Sequence, residues 1–199
     1  MTAFILFDRA LALSDHLVAI LAAAGPLAFF GAMALLPAAG VPMIVFSLTA
    51  GPAFAPSLGM GTVVAAGLTA LTVNLLLTYW LARRALRPLL TRLLARLGHQ
   101  VPRVEAADMT DLIVVLRVTP GLPFFAQNYI LGLADAPFGK FLWISCLSSW
   151  TYTAAIIVFG DALRHGEAKL IMEAVLVLVA LTAATHFVRR HYGKKKAAA

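Results

Sequence analysis

One arginine lies deep inside an apolar stretch of this chain. Arg117 belongs to the segment 112–133, LIVVLRVTPGLPFFAQNYILGL, in which Asn128 and Tyr129 follow it. A charge at membrane depth is costly, and the planar donors of a guanidinium suit a phosphate group. These residues therefore predict a phosphate-binding site along a polar path. In the alternative interpretation, Arg117 reaches the interface or binds backbone carbonyls of its own segment, and the other two only bond across helices.

The other polar residues in apolar surroundings are better explained by ion pairs and hydrogen bonds that stabilise the fold than by a role in proton transfer. Asp108 and Asp111 precede Arg117, and we expect them to pair with Arg117 or Arg103 rather than to relay protons. Asn74 lies in a long apolar run, where its amide predicts an interhelical hydrogen bond.

Enzymatic chemistry has little support in the sequence. The chain contains no HExxH, P-loop or GxSxG motif. Ser145, Ser148, Ser149 and His186 could form a serine–histidine dyad, but serines are common on helix-packing faces. The single cysteine, Cys146, excludes an internal disulfide and a cysteine-based zinc site. We expect no catalysis, no metal and no cofactor.

The segment that carries Arg117 also interrupts its own helix. Pro120 and Pro123 lack an N–H group, and Gly121 allows the backbone to turn freely. The same spacing of glycine, proline and glycine occurs earlier in the chain, which suggests two related halves. Such paired breaks are typical of a transporter-type binding site, although plain helix kinks are the alternative. The predicted binding residues are Arg117, Pro120, Gly121, Pro123, Asn128, Tyr129, Gly132, Gly40, Pro42 and Gly51.

Composition places the chain among integral membrane proteins. Of its 199 residues, 61% are hydrophobic and 13% are charged, whereas a soluble domain carries about 25% charged residues. Several apolar runs reach the length of about 20 residues that crosses a bilayer. We therefore expect one membrane domain over residues 1–199, with its core at 35–160.

The apolar runs predict an all-α fold with four spans, two interrupted hairpins and one surface helix. The N-terminus is expected to be retained rather than cleaved as a signal peptide, because Asp8, Arg9 and Asp15 precede the first long apolar run. The four spans are expected at 17–36, 59–82, 138–160 and 170–188, and Pro26 permits a kink in the first of them. The hairpins are expected at 37–58 and 112–133, and a basic amphipathic helix at 83–107.

Charge predicts the topology. The net charge of +7 is concentrated in an arginine-rich block at 83–103 and a basic tail at 189–199. Both blocks should be cytoplasmic, so an even number of crossings separates them. The segment 112–133 must then enter from the cytoplasm and return, and 37–58 must do the same from outside. The two hairpins therefore face each other as an inverted repeat. Nucleic-acid binding explains the basic blocks less well.

The second interrupted segment resembles the signature of a known family. The run from Arg117 through Pro120, Pro123 and Asn128 to Gly132, followed by Pro-Phe-Gly-Lys-Phe-Leu at 137–142, is similar to the DedA superfamily, in particular its VTT-domain branch. The earlier run from Pro37 to Arg83 is similar to the first half of that family. The likeness covers residues 35–160.

The resemblance implies a multi-pass protein of the inner membrane with two opposed re-entrant hairpins, and the charge pattern places both termini in the cytoplasm. It further implies a role in moving phospholipids or polyprenyl-phosphate carriers between leaflets, in some members linked to the proton-motive force. The sequence departs from the better-known bacterial members in two places. Pro123 replaces their second arginine, and no Asp or Glu occurs between His16 and Pro102. These departures favour an uncoupled lipid scramblase.

Two other functions stay open at this stage. One is a small-ion or solute transporter on the same fold, which the acid-free first half disfavours. The other is a non-transporting assembly or scaffold protein, which would use the basic segments to bind anionic lipid or a partner. The expected partners are a membrane phospholipid or polyprenyl phosphate, and anionic lipid at the basic segments. A second copy of the chain, in a homodimer, is a further candidate partner. No nucleic acid is expected.

Overall fold

A computed structural model describes residues 16–96, 109–118 and 122–166, together with single positions between 169 and 183. That part of the chain is helical and contains no strand. The helices are α1 (residues 16–23), α2 (Pro26–Leu35), α3 (Met43–Leu58), α4 (Met60–Leu81), α5 (Arg87–Arg96), α6 (Met109–Val118), α7 (Phe124–Leu133) and α8 (Phe138–His165). A 3₁₀ turn follows α2 at Leu36–Ala39, and a π-helical turn joins α4 to α5 at Ala82–Leu86.

The region predicted as a first span at 17–36 is two helices rather than one kinked helix. Gly25 has a φ of 100°, outside the helical region, and Pro26 occupies the first turn of α2. Proline suits that position because its missing N–H group has no helical partner there. The kink expected at Pro26 is therefore a full interruption of the helix at Gly25.

The two predicted breaks lie at matching places. Gly40 ends the 3₁₀ turn with a φ of 105°, and Pro42 then caps α3 in an extended conformation. Pro123 caps α7 with similar angles, φ −56° and ψ 143°. The expected helix–turn–helix at 37–58 differs in one respect, since its turn lies at 40–42 and α3 continues to Leu58 despite Pro52 and Pro56.

The prolines inside α3 explain how this helix packs against α8. A proline cannot donate to the carbonyl four residues before it, so Pro52 and Pro56 free the carbonyls of Leu48 and Pro52. Gly160 of α8 lies directly against the Leu48 carbonyl. Arg164 donates from Nη1 to the Pro52 oxygen at 2.9 Å. One turn of α8 therefore covers both carbonyls.

Two long helices, α4 and α8, form the centre of the molecule and run antiparallel. The end of α4 meets the beginning of α8, where Tyr79 stacks on Phe141 with ring centroids 4.6 Å apart. Farther along, Gly67 of α4 faces Ile157 near the other end of α8. Met60–Arg92 and Phe138–His165 are the two helices in the described part that are long and apolar enough to cross a membrane.

The shorter helices α3 and α7 each pack on the long helix that does not follow them in the chain. α3 precedes α4 but packs on α8, and α7 precedes α8 but packs on α4. α3 follows the last part of α8, and α7 follows the last part of α4. Because α4 and α8 are antiparallel, α3 and α7 end at opposite ends of the central pair. Asn74 ties α4 to α2 by donating to the carbonyl of Ala34 at 2.9 Å, as its position predicted.

The basic segment is not a separate surface helix in its described part. α4 continues through the π-helical turn into α5, so Met60–Arg92 is one helical run of 33 residues. No glycine occurs in the π-helical turn or in α5, and Pro88 follows the turn. Since Pro88 cannot donate to the carbonyl of Arg84, the wider π turn accommodates that defect without ending the helix. Residues 97–107 of the predicted segment lie outside the described part.

Candidate functional site

Arg117 lies in the last turn of α6, immediately before the break that precedes α7, and binds side chains of two other helices. Its Nη2 donates to Oδ1 of Asn128 at 2.7 Å, and its Nη1 donates to Oε1 of Gln127 at 3.2 Å. Ser145 of α8 accepts from both Nε and Nη2, at 3.1 and 2.8 Å. The guanidinium therefore joins α6, α7 and α8.

Apolar rings border the charge. The guanidinium carbon of Arg117 lies 5.5 Å from the ring centre of Phe124 and 5.7 Å from that of Phe141. Rings at this distance attract a cation and keep water away from it. Gln127 is held in place because its Nε2 donates to the carbonyl of Leu122 at 3.1 Å. The site is thus ordered around a cation in a weakly polar medium.

No acid in the described part of the chain balances the charge of Arg117. Within the described ranges, no carboxylate forms an ion pair with Arg117. The expected pairing with Asp111 is therefore absent, since the Asp111 side chain is exposed at the start of α6. Asp108 and Arg103 lie outside the described residues. The hydrogen bonds of Arg117 go to neutral amides and a hydroxyl, which solvate the cation without neutralising it.

A second buried donor accompanies the cation. Asn128 is fully buried, and while its oxygen accepts from Arg117, its Nδ2 has no hydrogen-bond partner. A buried amide without a partner costs free energy. Arg117 and Asn128 therefore present hydrogen-bond donors beside each other, and no anion among the described residues accepts from them. A bound phosphate or carboxylate would accept from both.

The two chain breaks meet through α7. Tyr129 donates its hydroxyl proton to the carbonyl of Ala38 at 2.7 Å, and a Cβ on Gly40 would touch the ring of Phe125 at 3.8 Å. Tyr129 therefore bonds across helices, and it does so at the turn that precedes α3. The first break thus lies beside the helix that carries Asn128.

The described members of the predicted proline and glycine set lie at helix starts, in a turn and at helix contacts. Pro42 and Pro123 begin α3 and α7, and Gly40 provides the left-handed turn before Pro42. Gly51 packs against α8 and Gly132 against α4. Pro120 and Gly121 lie outside the described residues. The structure therefore brings Arg117 together with Asn128, and it places Tyr129 against the turn that ends at Gly40.

Sequence reasoning missed two members of the site. Gln127 was not singled out, although it is the neighbour of Asn128 in the sequence. Both amides follow Arg117 across the same break, and that arrangement was the available signal. Ser145 was considered only as a nucleophile, whereas its hydroxyl accepts two hydrogen bonds from Arg117. The proposed histidine partner, His186, lies outside the described residues.

Comparison with known proteins gives one match. The sequence model of a protein family, described as the VTT domain, matches residues 41–162. That range begins in the first break and ends in the last turns of α8, and it includes every described residue that contacts Arg117. No curated protein and no solved structure matches the chain.

Proposed function

The chain belongs to the VTT-domain family of the DedA superfamily, and on this premise we propose that it moves the headgroups of phospholipids or polyprenyl phosphates between membrane leaflets. The observation that carries the proposal is the half-buried Arg117, which has no acidic partner among the described residues and lies beside the unpartnered amide of Asn128. A lipid phosphate supplies the missing negative charge and accepts from both groups.

The lengths and ends of the helices support two opposed re-entrant hairpins. The described part of α6 and the whole of α7 have 10 residues each, and each of these lengths rises about 15 Å, half of a bilayer core of about 30 Å. α3 has 16 residues, or about 24 Å. Because α3 and α7 finish at opposite ends of the antiparallel α4–α8 pair, the hairpins enter from opposite faces. With both basic blocks in the cytoplasm, the two termini are cytoplasmic.

In this mechanism the headgroup crosses along the seam where the hairpins meet, while the acyl chains stay in the bilayer. The large cost of moving a phosphate through hydrocarbon is lowered because Arg117, Asn128 and the amide of Gln127 replace part of its hydration. Tyr129 holds the first turn against α7 at the same seam. No step requires a protonatable group, so the transfer is passive and bidirectional.

A scrambling assay in proteoliposomes tests the proposal. Fluorescent phospholipid in both leaflets is bleached from outside with a membrane-impermeant reductant, and the fraction bleached reports exchange between leaflets. Arg117→Ala is expected to abolish exchange, Arg117→Lys to retain a part of it, and Arg96→Ala, an exposed arginine on α5, to leave it unchanged. Exchange by Arg117→Ala at the wild-type rate would refute the assigned role.

Two further arms separate the competing functions. Exchange that is equal with and without a pH gradient supports passive transfer, whereas dependence on the gradient contradicts it. Flux of a small anion without lipid exchange would instead indicate a solute transporter on this fold. A well-folded wild-type protein that moves neither would indicate an assembly or scaffold role.

A further inference from the structure

An arginine-lined cleft lies at the junction of α4 and α5, away from Arg117. It has a volume of about 530 Å³ and is lined by Arg83, Arg87, Pro88, Thr91 and Arg92. Arg83 and Arg87 are four residues apart, so their side chains lie on one side of the continuous helix, and Arg92 lines the same cleft from the next turn. Three guanidinium groups around one cleft predict an anionic ligand.

One acid partly neutralises the cleft. Asp135, in the turn between α7 and α8, forms ion pairs with Nη2 of Arg83 at 2.6 Å and with Nη1 of Arg87 at 2.5 Å. Arg92 is exposed, and no ion pair involves it in the described part of the chain. Three positive charges thus face one negative charge, which leaves the cleft with a net charge near +2.

Apolar side chains continue from the cleft along the same helix. Leu86, Leu89 and Leu90 are exposed, with Leu89 exposed to 56%, and Trp80 is exposed one turn before the cleft. A soluble anion would use the arginines and leave these leucines in water. A lipid uses both, since its phosphate reaches the arginines while its chains cover the leucines.

We propose that this cleft binds the phosphate of an anionic lipid in the leaflet that borders the α4–α5 junction. The proposal adds a lipid site at the far end of α7 from Arg117, and it does not depend on transfer at Arg117. The lipid phosphate competes with Asp135 for Arg83 and Arg87. Arg92 has no ion pair among the described residues, so it binds the phosphate without such competition. Asp135 has a φ of 62°, an uncommon conformation for a residue with a side chain, and its two ion pairs hold this turn.

Tryptophan quenching by brominated lipid provides a local test. Trp80 is kept, Trp143 and Trp150 are replaced by Phe in every variant, and the protein is reconstituted into phosphatidylcholine vesicles that contain brominated phosphatidylglycerol or brominated phosphatidylcholine. The preference for the anionic lipid is the ratio of the two quenching efficiencies. Arg92→Gln should lower the apparent affinity for brominated phosphatidylglycerol at least about fivefold, whereas Arg96→Gln, on the same helix outside the cleft, should not.

A second variant changes the preference in the opposite direction. Asp135→Asn frees Arg83 and Arg87, so the preference for phosphatidylglycerol should rise, while Asp111→Asn removes the same charge elsewhere and should leave it unchanged. Equal effects of Arg92→Gln and Arg96→Gln would refute a defined cleft. A fall in preference in Asp135→Asn, with an unchanged unfolding temperature, would refute the lipid as its ligand. Lipid exchange is measured separately, so failure here is distinct from failure at Arg117.

Discussion

Trp150 donates its indole proton to the hydroxyl of Thr72 at 3.0 Å, and these two residues occupy the same position in α8 and in α4, counted from the first residue of each helix. Equivalent positions of two repeats meet only near the axis that relates them. The bond therefore lies at the crossing of the two long helices, where the pseudo-two-fold axis of the proposed inverted repeat would pass.

The same equivalence holds for the glycines that follow each break. A Cβ on Gly132 would lie 2.9 Å from the carbonyl oxygen of Tyr79, and one on Gly51 would lie against that of Ile157. Tyr79 and Ile157 also occupy equivalent positions of α4 and α8. We predict that Gly51→Ala and Gly132→Ala each destabilise the protein by about 1–3 kcal/mol, because backbone must move to accept the methyl group. Thermal unfolding in detergent measures this.

Gly61 and Gly139 provide the matched controls. They are equivalent to each other in α4 and α8, and a Cβ on either would meet nothing within 4 Å. Alanine there should keep the unfolding temperature or raise it slightly, because alanine favours helix over glycine by about 1 kcal/mol. Unfolding temperatures that fall equally in all four variants would show that the close contacts at Gly51 and Gly132 are not the cause.

Asn128→Asp should stop lipid exchange without unfolding the protein. The amide oxygen lies 2.7 Å from Nη2 of Arg117, so an aspartate there places a carboxylate on the guanidinium. That carboxylate neutralises the guanidinium of Arg117 within the protein, and it competes with a lipid phosphate for the same donors. We expect exchange to fall about tenfold or more, with an unfolding temperature equal to or above that of the wild type.

The control for added charge is Ser57→Asp, since Ser57 is exposed at the end of α3 and distant in sequence from the site. It should exchange lipid at the wild-type rate. If Asn128→Asp is as active as Ser57→Asp, Arg117 serves only to hold α6, α7 and α8 together.

The pairing of α3 with α8 predicts a coupled effect of a proline and an arginine. Arg164 binds the carbonyl of Pro52, which is free because Pro56 cannot donate to it. Arg164→Ala should therefore cost about 1 kcal/mol in the wild type. In a Pro56→Ala background the restored N–H group satisfies that carbonyl, and Arg164→Ala should cost less. A double-mutant cycle of unfolding free energies tests this, and strictly additive effects would contradict it.

Local sequence features predicted the parts of this structure that depend on local backbone chemistry. The Gly–Pro pairs at 40–42 and before α7 located both breaks, because a missing N–H group and a left-handed glycine act within one turn. Asn74 predicted its own interhelical bond, because a buried amide in an apolar run requires a partner. The match to the VTT domain confirmed the resemblance read from the second motif.

Contacts between distant segments were not predictable in the same way. Ser145 reaches Arg117 only because α8 returns beside α6, and nothing near Ser145 in the sequence indicates this. The helical continuation of α4 into the basic segment was not predicted for a related reason. Arginines change the polarity of a helix without breaking it, so the hydrophobic pattern ended near Leu81 while the helix continued. The double ion pair of Asp135 likewise depends on where α7 ends.

Cysteine labelling tests the opposed hairpins directly. In a Cys146→Ala background, Asp111→Cys at the start of α6 and Ala134→Cys after the end of α7 flank the second hairpin, and Arg96→Cys marks the basic segment. A re-entrant hairpin returns to the face it entered, so an impermeant maleimide added to one face of sealed vesicles should label all three alike. Ser57→Cys, at the end of α3, should react from the opposite face, because α3 and α7 end at opposite ends of the α4–α8 pair. Labelling of Asp111→Cys and Ala134→Cys from different faces would mean that residues 112–133 cross the bilayer, and the proposed seam beside Arg117 would then not exist.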